Sequence, residues 1–493
     1  MVIEQILEQQ RERARNPRSL SHQLMAAFLA KSQFALTDDQ SRALAQVADF
    51  LADDSGRRRV FVLKGYAGTG KTTLVSLITQ TIKRFGISPY MMAPTGRAAK
   101  VMSTYSHRAA FTIHRTIFRK AGDGTAGFGA VARNYNRNTL FVVDEASMIA
   151  CQGSDNLLAP LLEYVFEHDE NKLLLVGDDA QLPPVSQPDS LALDARWLEY
   201  NYHMPVEGAQ LTQVIRQQAE SGILANATAL RNHLMAGRMQ VSFHTKPYPD
   251  CFSMTGERIQ EGVEYAYNKF GVENTLIITR SNKMAAQFNQ AIRRGLLHFE
   301  NELDAGDLVM VVRNNYAYAE AAGAAGFLAN GDFARIRRVR RFEEMLGLKF
   351  ADVELELVDY PEQQPFEAKV LMDVLYSDKA NLPREQADAL YQAVLADYPE
   401  ATTKKDRDKA LREDPYYNAL QIKFAYVLTC HKSQGGQWDA VFVDQGYMPD
   451  ATVTVDYQRW LYTAVTRARK ELFLVNFQEA FYDEAAFKES LLG

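Results

Sequence analysis

The chain has 493 residues, 55 Lys and Arg against 61 Asp and Glu, and a formal charge of −6. That length suffices for about three domains with separate cores, and 47% apolar with 24% charged residues excludes a largely disordered polymer. Three scattered cysteines (Cys151, Cys251, Cys430) exclude a disulfide scaffold or a Cys-x-x-Cys zinc site, while the lack of an apolar span or signal-peptide core predicts a cytoplasmic chain without membrane contact.

Val60-Phe61-Val62-Leu63 is a buried-strand pattern that runs into Gly65-Tyr66-Ala67-Gly68-Thr69-Gly70-Lys71-Thr72, a match to G-x-x-x-x-G-K-[ST] followed by helical sequence. Glycines there let backbone N–H groups approach phosphate oxygens, and the helix N-terminus adds partial positive charge. Gly65, Ala67, Gly68, Thr69, Gly70, Lys71, Thr72 and Thr73 are therefore the expected nucleotide-binding residues. Lys71 would reach the β/γ-phosphates of ATP, and the Thr72 hydroxyl would ligate Mg²⁺. A second strand, Phe141-Val142-Val143, ends in Asp144-Glu145. Adjacent carboxylates after a buried run need a compensating cation. Asp144 is the candidate Mg²⁺ ligand and Glu145 the group that orients and deprotonates water. A third strand at 173–176 leads into Gly177-Asp178-Asp179-Ala180-Gln181-Leu182-Pro183-Pro184. Its stiff turn would hold the Gln181 amide near the terminal phosphate, or serve only as a rigid turn.

Charge is unevenly placed. Residues 91–138 hold eight Lys/Arg and one acid, whereas 139–215 hold thirteen acids and two bases. Residues 281–340 are mildly basic and end in Arg335-Ile336-Arg337-Arg338-Val339-Arg340, and 341–420 hold eighteen acids against ten bases. One such block is an ordinary solvated face; two basic blocks beside chemical motifs point to a polyanion. Late apolar runs at 276–278, 440–443 and 472–475 predict a second parallel sheet. Between them, 306–312 and Asn330-Gly331-Asp332 predict a small β-module, and the polar stretch 377–415 has a helical pattern.

Seven segments stand in the order found in superfamily 1 helicases: GYAGTGKT, APTGRAAK (93–100), VVDEAS, GDDAQLPPV, LTQVIRQ (211–217), TCHKSQG (429–435) and YTAVTRAR (462–469). Over about 34–477 the chain resembles the 5′→3′ RecD/Dda-like branch of that superfamily. The resemblance implies an α/β fold of two RecA-like P-loop domains in tandem. A β-hairpin wedge is implied at about 105–138, and a small SH3-like β-module inserted in the second domain. The implied boundaries are a helical extension at 1–33, a first domain at 34–218, and a second at 219–300 and 421–493. The SH3-like insertion would occupy 301–345 and a polar helical projection 346–420.

The resemblance also assigns residues. Gln40 would read adenine, Arg216 and Arg467 would be arginine fingers, and Gln434 and Gly435 would face the nucleotide. Pro94, Thr95, Arg97 and His114, with Thr429, His431 and Ser433 of the second domain, would line a single strand. Asn282 and Asn289 would join them, although helix capping explains Asn282 equally. Arg337 and Arg340 would touch phosphates. Residues 116–137 would split the duplex with Phe118 or Phe128 stacked on a base, the alternative being a surface loop with Phe118 in a local core. The implied activity is ATP- and Mg²⁺-dependent movement on single-stranded DNA with separation of fork duplex. The implied state is a monomer with a replication or recombination partner on 346–420 and no nuclease site. An RNA or nucleoprotein-remodelling helicase and a DNA-binding recombination scaffold stay open, and Gln437, where many relatives carry Glu, leaves sugar preference open too.

Overall fold

A computed structural model describes residues 19–118, 130–185, 187–215, 221–315, 317–318, 328–360, 363–379, 381–448 and 452–492. The first six strands are β1 (Val60–Gly65), β2 (Ser88–Ala93), β3 (Ala110–Thr112), β4 (Thr139–Val143), β5 (Lys172–Gly177) and β6 (Val206–Leu211). They form one sheet in the order β3-β2-β4-β5-β1-β6, with every pairing parallel. Alternate residues of the apolar runs feed two cores. Phe61, Leu63, Val142 and Leu174 pack with Leu74 and Ile78 of helix Lys71–Thr81. Val60, Val62, Phe141 and Leu173 pack with Leu158 and Leu161 of helix Leu158–Val165 on the opposite face. Both faces are covered, which is why the strands are continuously apolar rather than alternating.

Parallel pairing sends the C-terminal ends of β4, β5 and β1 to one edge of the sheet as immediate neighbours. The loops after those strands carry the three motifs, so topology alone gathers them.

The chain continues through β7 (Cys251–Met254) and β8 (Thr275–Thr279) before entering a closed barrel. The barrel is built from β9 (Leu308–Val311), β10 (Phe333–Met345), β11 (Leu348–Leu357), β12 (Phe366–Leu371) and β13 (Leu420–Phe424), closed by β9 pairing with both β10 and β13. β14 (Val427–Thr429), β15 (Trp438–Asp444) and β16 (Ala468–Val475) then complete a second parallel sheet, β14-β8-β15-β16-β7.

The inserted β-module is thus larger than the stretch 301–345 expected for it, and strands β11 and β12 stand where a helical projection was expected. The reason lies in Val353-Glu354-Leu355-Glu356-Leu357, whose strict alternation buries Val353, Leu355 and Leu357 and leaves the glutamates facing out. Helices Arg384–Ala396 and Lys404–Glu413 do occupy the polar stretch beyond.

The root of the barrel is fixed by a buried ion pair. Arg293, near the end of helix Asn282–Gly295, donates through Nε and Nη2 to the two oxygens of Asp307, each at 2.7 Å, with Asp307 wholly buried. Tyr426 Oη and the Asp304 N–H also donate to that carboxylate, at 2.9 and 2.8 Å. Removing one charge of such a pair leaves the other buried and costs about 3–5 kcal/mol. Asp307→Asn is therefore expected to lower hydrogen-exchange protection of β9 amides by about 10²–10³-fold, since each 1.36 kcal/mol is tenfold. Unchanged protection there would show that the pair does not hold the barrel root.

Candidate ATPase centre and nucleic-acid groove

The phosphate loop turns between β1 and helix Lys71–Thr81, with Gly68 at φ 75° and Gly70 at φ 81°. Gly70 admits no side chain: a Cβ would lie 2.5 Å from Gln40 Nε2. Lys71 Nζ donates to the carbonyls of Gly65 and Tyr66, so the lysine folds back on its own loop. Gln40 supports the loop from behind. Its Nε2 donates to the Thr69 carbonyl at 3.0 Å, and its Oε1 accepts from Thr37 N–H at 3.1 Å as half of a capping box. Gln40 is 1% exposed, so the amide expected to read adenine is buried beneath the loop. Asp39 beside it accepts from Thr212 N–H, Thr212 Oγ1 and Gln213 N–H. Burial raises its pKa, but those hydrogen bonds outweigh burial and leave it below the ordinary carboxylate value.

Asp144, Glu145, Asp178 and Gln181 stand on the adjacent strand ends. Asp144 Oδ2 accepts from Tyr105 Oη at 2.6 Å. Glu145 adopts φ 53°, a left-handed conformation that a non-glycine residue holds only under constraint. Burial pushes its carboxyl up; Arg467 pulls it down and Asp144 pushes it further up. Asp178 is likewise raised by burial and lowered in turn by Lys71. Gln181 is 6% exposed and its Oε1 is buried without a partner among the described residues. The second domain closes the site. Arg467 Nη1 lies 4.0 Å from Glu145 Oε1, and Gln434 Nε2 donates to the Leu182 carbonyl at 2.8 Å. Arg216 lies outside the described residues.

These groups fit a hard divalent cation. Carboxylate and hydroxyl oxygens, here those of Asp144 and Thr72, are the donors such ions take.

A groove of about 1070 Å³ opens on the other side, between the first domain, the barrel, helix Lys404–Glu413 and the second domain. Pro94, Thr95, Arg97, His114 and His431 line it as expected, joined by Lys432 and by Gln434, which was expected to face the nucleotide; Gly435, expected there too, packs against Thr95 and Ala98 of the groove wall. Burial lowers the His114 pKa to about 4 and also lowers His431 and Lys432, so His114 is neutral near pH 7. The barrel side is formed by Arg313, Asn314, Asn315 and Asn330, which residue-type reasoning missed. The run Arg313-Asn314-Asn315 directly after an apolar strand was the available signal.

Other expected strand contacts sit elsewhere. Arg337 pairs with Glu356 at 3.4 Å and Arg340 with Glu367 at 2.5 Å, both on the barrel wall away from the groove. Ser433 is fully buried and donates to the Cys430 carbonyl. Asn289 is 5% exposed: its Nδ2 donates to the carbonyls of Ala285 and Val427, and its Oδ1 accepts from Val427 N–H, all within 3.0 Å. Thr429 and Asn282 line a narrow crevice beside Asn289, and the cap of that helix is Ser281 rather than Asn282. Phe118 forms an antiparallel bridge with Val131 and packs against the first-domain core, while 119–129 of the expected wedge, Phe128 included, lie outside the described residues. Tyr462 and Thr463, which join the two domains, were also missed, although they stand in the quoted segment YTAVTRAR.

Asn289→Ala is expected to leave both backbone polar groups of Val427 unpaired, costing about 1–3 kcal/mol for each group. Faster hydrogen exchange along β14 with unaltered single-strand affinity would bear this out, and lost affinity with intact protection would reinstate Asn289 as a strand contact.

Known proteins are similar in sequence. The AAA domain family matches residues 35–242 and the UvrD-like helicase C-terminal domain family residues 424–475, together more than half of the chain. The ATP-dependent RecD2 DNA helicase of Deinococcus radiodurans is 32% identical over 200 residues, 41% of this chain and 24% of that longer protein. The ATP-dependent DNA helicase dda of Enterobacteria phage T4 is 23% identical over 478 residues, covering 89% of this chain and 99% of that one. Uncharacterized protein R530 of Acanthamoeba polyphaga mimivirus is 24% identical over 492 residues, 84% of this chain and 94% of its own. With the seven ordered motifs lodged in two parallel sheets and these relatives alongside, the chain belongs to the superfamily 1 helicases, in the RecD/Dda-like branch.

Proposed function

We propose that this protein is an ATP-dependent DNA helicase that moves 5′→3′ on single-stranded DNA and separates duplex ahead of it. One observation carries the reading. The four-residue helix Cys430–Ser433 places His431 and Lys432 in the groove, and the residue after it, Gln434, lines the same groove while donating to the Leu182 carbonyl in the first-domain loop that carries Gln181. A change in cleft closure therefore acts on the groove through a single short element.

In the cleft, the loop amides and Lys71 hold the phosphates of ATP, Gln181 and Glu145 orient the attacking water, and Glu145 accepts its proton. Lys71 and Arg467 offset the charge that develops on the transferred group. Thr72 and Asp144 would hold Mg²⁺, which supplies further charge neutralisation at the phosphates. In the groove, Thr95, Asn314, Asn315 and Asn330 offer hydrogen bonds that suit phosphate and sugar without selecting sequence. Alternating closure and opening, with the two domains holding the strand in turn, converts hydrolysis into directed movement. Residues 116–137, which contain the Phe118–Val131 bridge, are the segment proposed to part the duplex.

The direct test is unwinding of matched duplexes bearing a 5′ or a 3′ single-stranded tail, with Lys71→Ala as control. Unwinding of the 5′-tailed substrate alone, abolished in Lys71→Ala, is expected; unwinding of only the 3′-tailed substrate would overturn the direction. A second test addresses the groove. Neutralising Arg313 and Lys432 together should reduce the salt slope of single-strand binding by about 1.4, from ~0.7 for each phosphate contact. Neutralising the ion-paired Arg337 and Arg340 should leave the slope as it was, and the opposite pattern would move the strand to the barrel's outer wall.

A further inference from the structure

Helix Val455–Val465, which immediately precedes Arg467, docks on the first domain through polar contacts on one face. Arg459 Nη2 meets Asp189 Oδ1 at 2.8 Å, and Thr463 Oγ1 accepts from Leu182 N–H at 2.8 Å. Tyr462 lies between them, 1% exposed, and its partners are of a different kind. Its hydroxyl accepts from the backbone N–H of Ala67 in the phosphate loop at 2.9 Å and donates to Asp178 Oδ2 at 2.7 Å.

We propose that the Tyr462 hydroxyl is a positioning group that ties the phosphate loop to the Arg467 helix, so that occupation of the loop by nucleotide is transmitted to the second domain. The inference rests on the ATPase reading above. Ala67 belongs to the stretch of backbone whose N–H groups face phosphate, so Tyr462 and the nucleotide act on the same few peptides. Lys71 holds the carbonyls of Gly65 and Tyr66, the two residues before Ala67. A phosphate that draws the lysine away reshapes the peptide to which Tyr462 is bonded. The phenol has little room to yield, because Asp178 is 1% exposed and also accepts from Ala180 N–H at 3.1 Å. Movement of the loop is therefore passed to the helix. Arg467 follows the helix because its Nε donates to the Thr463 carbonyl at 3.0 Å and its Nη1 to the Gly436 carbonyl at 3.2 Å. Its guanidinium is the group that faces Glu145 across the cleft.

Tyr462→Phe removes the hydroxyl and keeps the ring, so packing is retained. Two quantities are to be measured on the full chain: single-strand-stimulated ATP turnover, and the ratio of oligo-dT dissociation constants with a non-hydrolysable ATP analogue and with ADP. In Tyr462→Phe the kcat is expected to fall about tenfold with KM for ATP within about threefold, as for a contact realised at the transition state. The affinity ratio should collapse to within about twofold of one. Arg459→Ala, which removes a docking contact without touching the loop, should keep the wild-type ratio, and that outcome separates transmission from simple docking. A Tyr462→Phe protein with wild-type kcat and ratio, or a wild-type ratio of one, would overturn the relay. Absence of strand-stimulated turnover in the wild type would instead overturn the ATPase reading itself.

Discussion

The ATPase centre exists only because helix Val455–Val465 stays docked on the loop after β5. Neither sheet holds a complete site. The first provides the phosphate loop and the acidic groups, and the second provides Arg467, with Gln434 bracing the loop after β5 from the groove side. What joins them is a handful of hydrogen bonds at Ala67, Asp178, Leu182 and Asp189, most of them buried. Buried hydrogen bonds to a charged group are worth about 1.5–3 kcal/mol and are expensive to break one-sidedly. Asp178 is such a group, sealed in the interface, so the two domains part only if water or another donor replaces Tyr462 there.

That contact has a counterpart on the groove side, at the N-terminus of helix Gly96–Ser106. A Cβ at Gly435 would lie 2.7 Å from Ala98 Cβ, and a Cβ at Gly96 would overlap the Asp332 carboxylate. The second domain and the barrel thus both touch one turn of a first-domain helix, with glycine needed on each side of the approach. Arg97, on the same turn, lies between the rings of Trp438 and Phe333 at 4.1 and 4.5 Å from their centroids. A cation between two aromatic faces is held by both. The residue expected to grip a phosphate is therefore also the clamp that gathers three parts of the molecule, and any change in cleft closure must be felt at the groove wall. Packed interfaces of this kind switch between discrete arrangements rather than deform continuously.

The cleft was legible in the sequence because its residues come in contiguous segments, and parallel strands put the ends of those segments on one edge. Lys71, Asp144, Glu145 and Gln181 needed no long-range information to be placed together. The groove was less legible because a polar side chain does not announce its partner. Arg337 and Arg340 lie on an arginine-rich strand, yet the glutamates that pair with them come from β11 and β12, which composition had assigned to a projection. Asn289 has the chemistry of a base or sugar contact and spends it on the backbone of Val427, a strand that joins the sheet much later in the chain. Tyr462 escaped notice for a related reason: a tyrosine in an apolar helix is taken for core until both partners of its hydroxyl are known.

The same lesson changes what the basic block at 91–138 means. Its local excess of positive charge suggested an electrostatic track, but much of that charge is engaged by neighbouring rings and carboxylates, in part at the surface. Arg115 stacks on Phe111, Lys100 faces the Tyr360 ring, and Arg133 and Arg137 pair with Glu167 and Glu170. The glutamates belong to the acidic stretch that follows, so the two blocks partly neutralise one another across the fold rather than presenting opposite faces. Among the described residues of the basic block, Arg97 and His114 reach the groove with the uncharged Pro94, Thr95 and Thr112, opposite Arg313, Asn314, Asn315 and Asn330. On the function proposed above, such a lining would hold a strand through polar contacts as well as ionic ones. Each closure of the cleft can then release one part of the strand while another part is held, which a tightly ionic groove would resist.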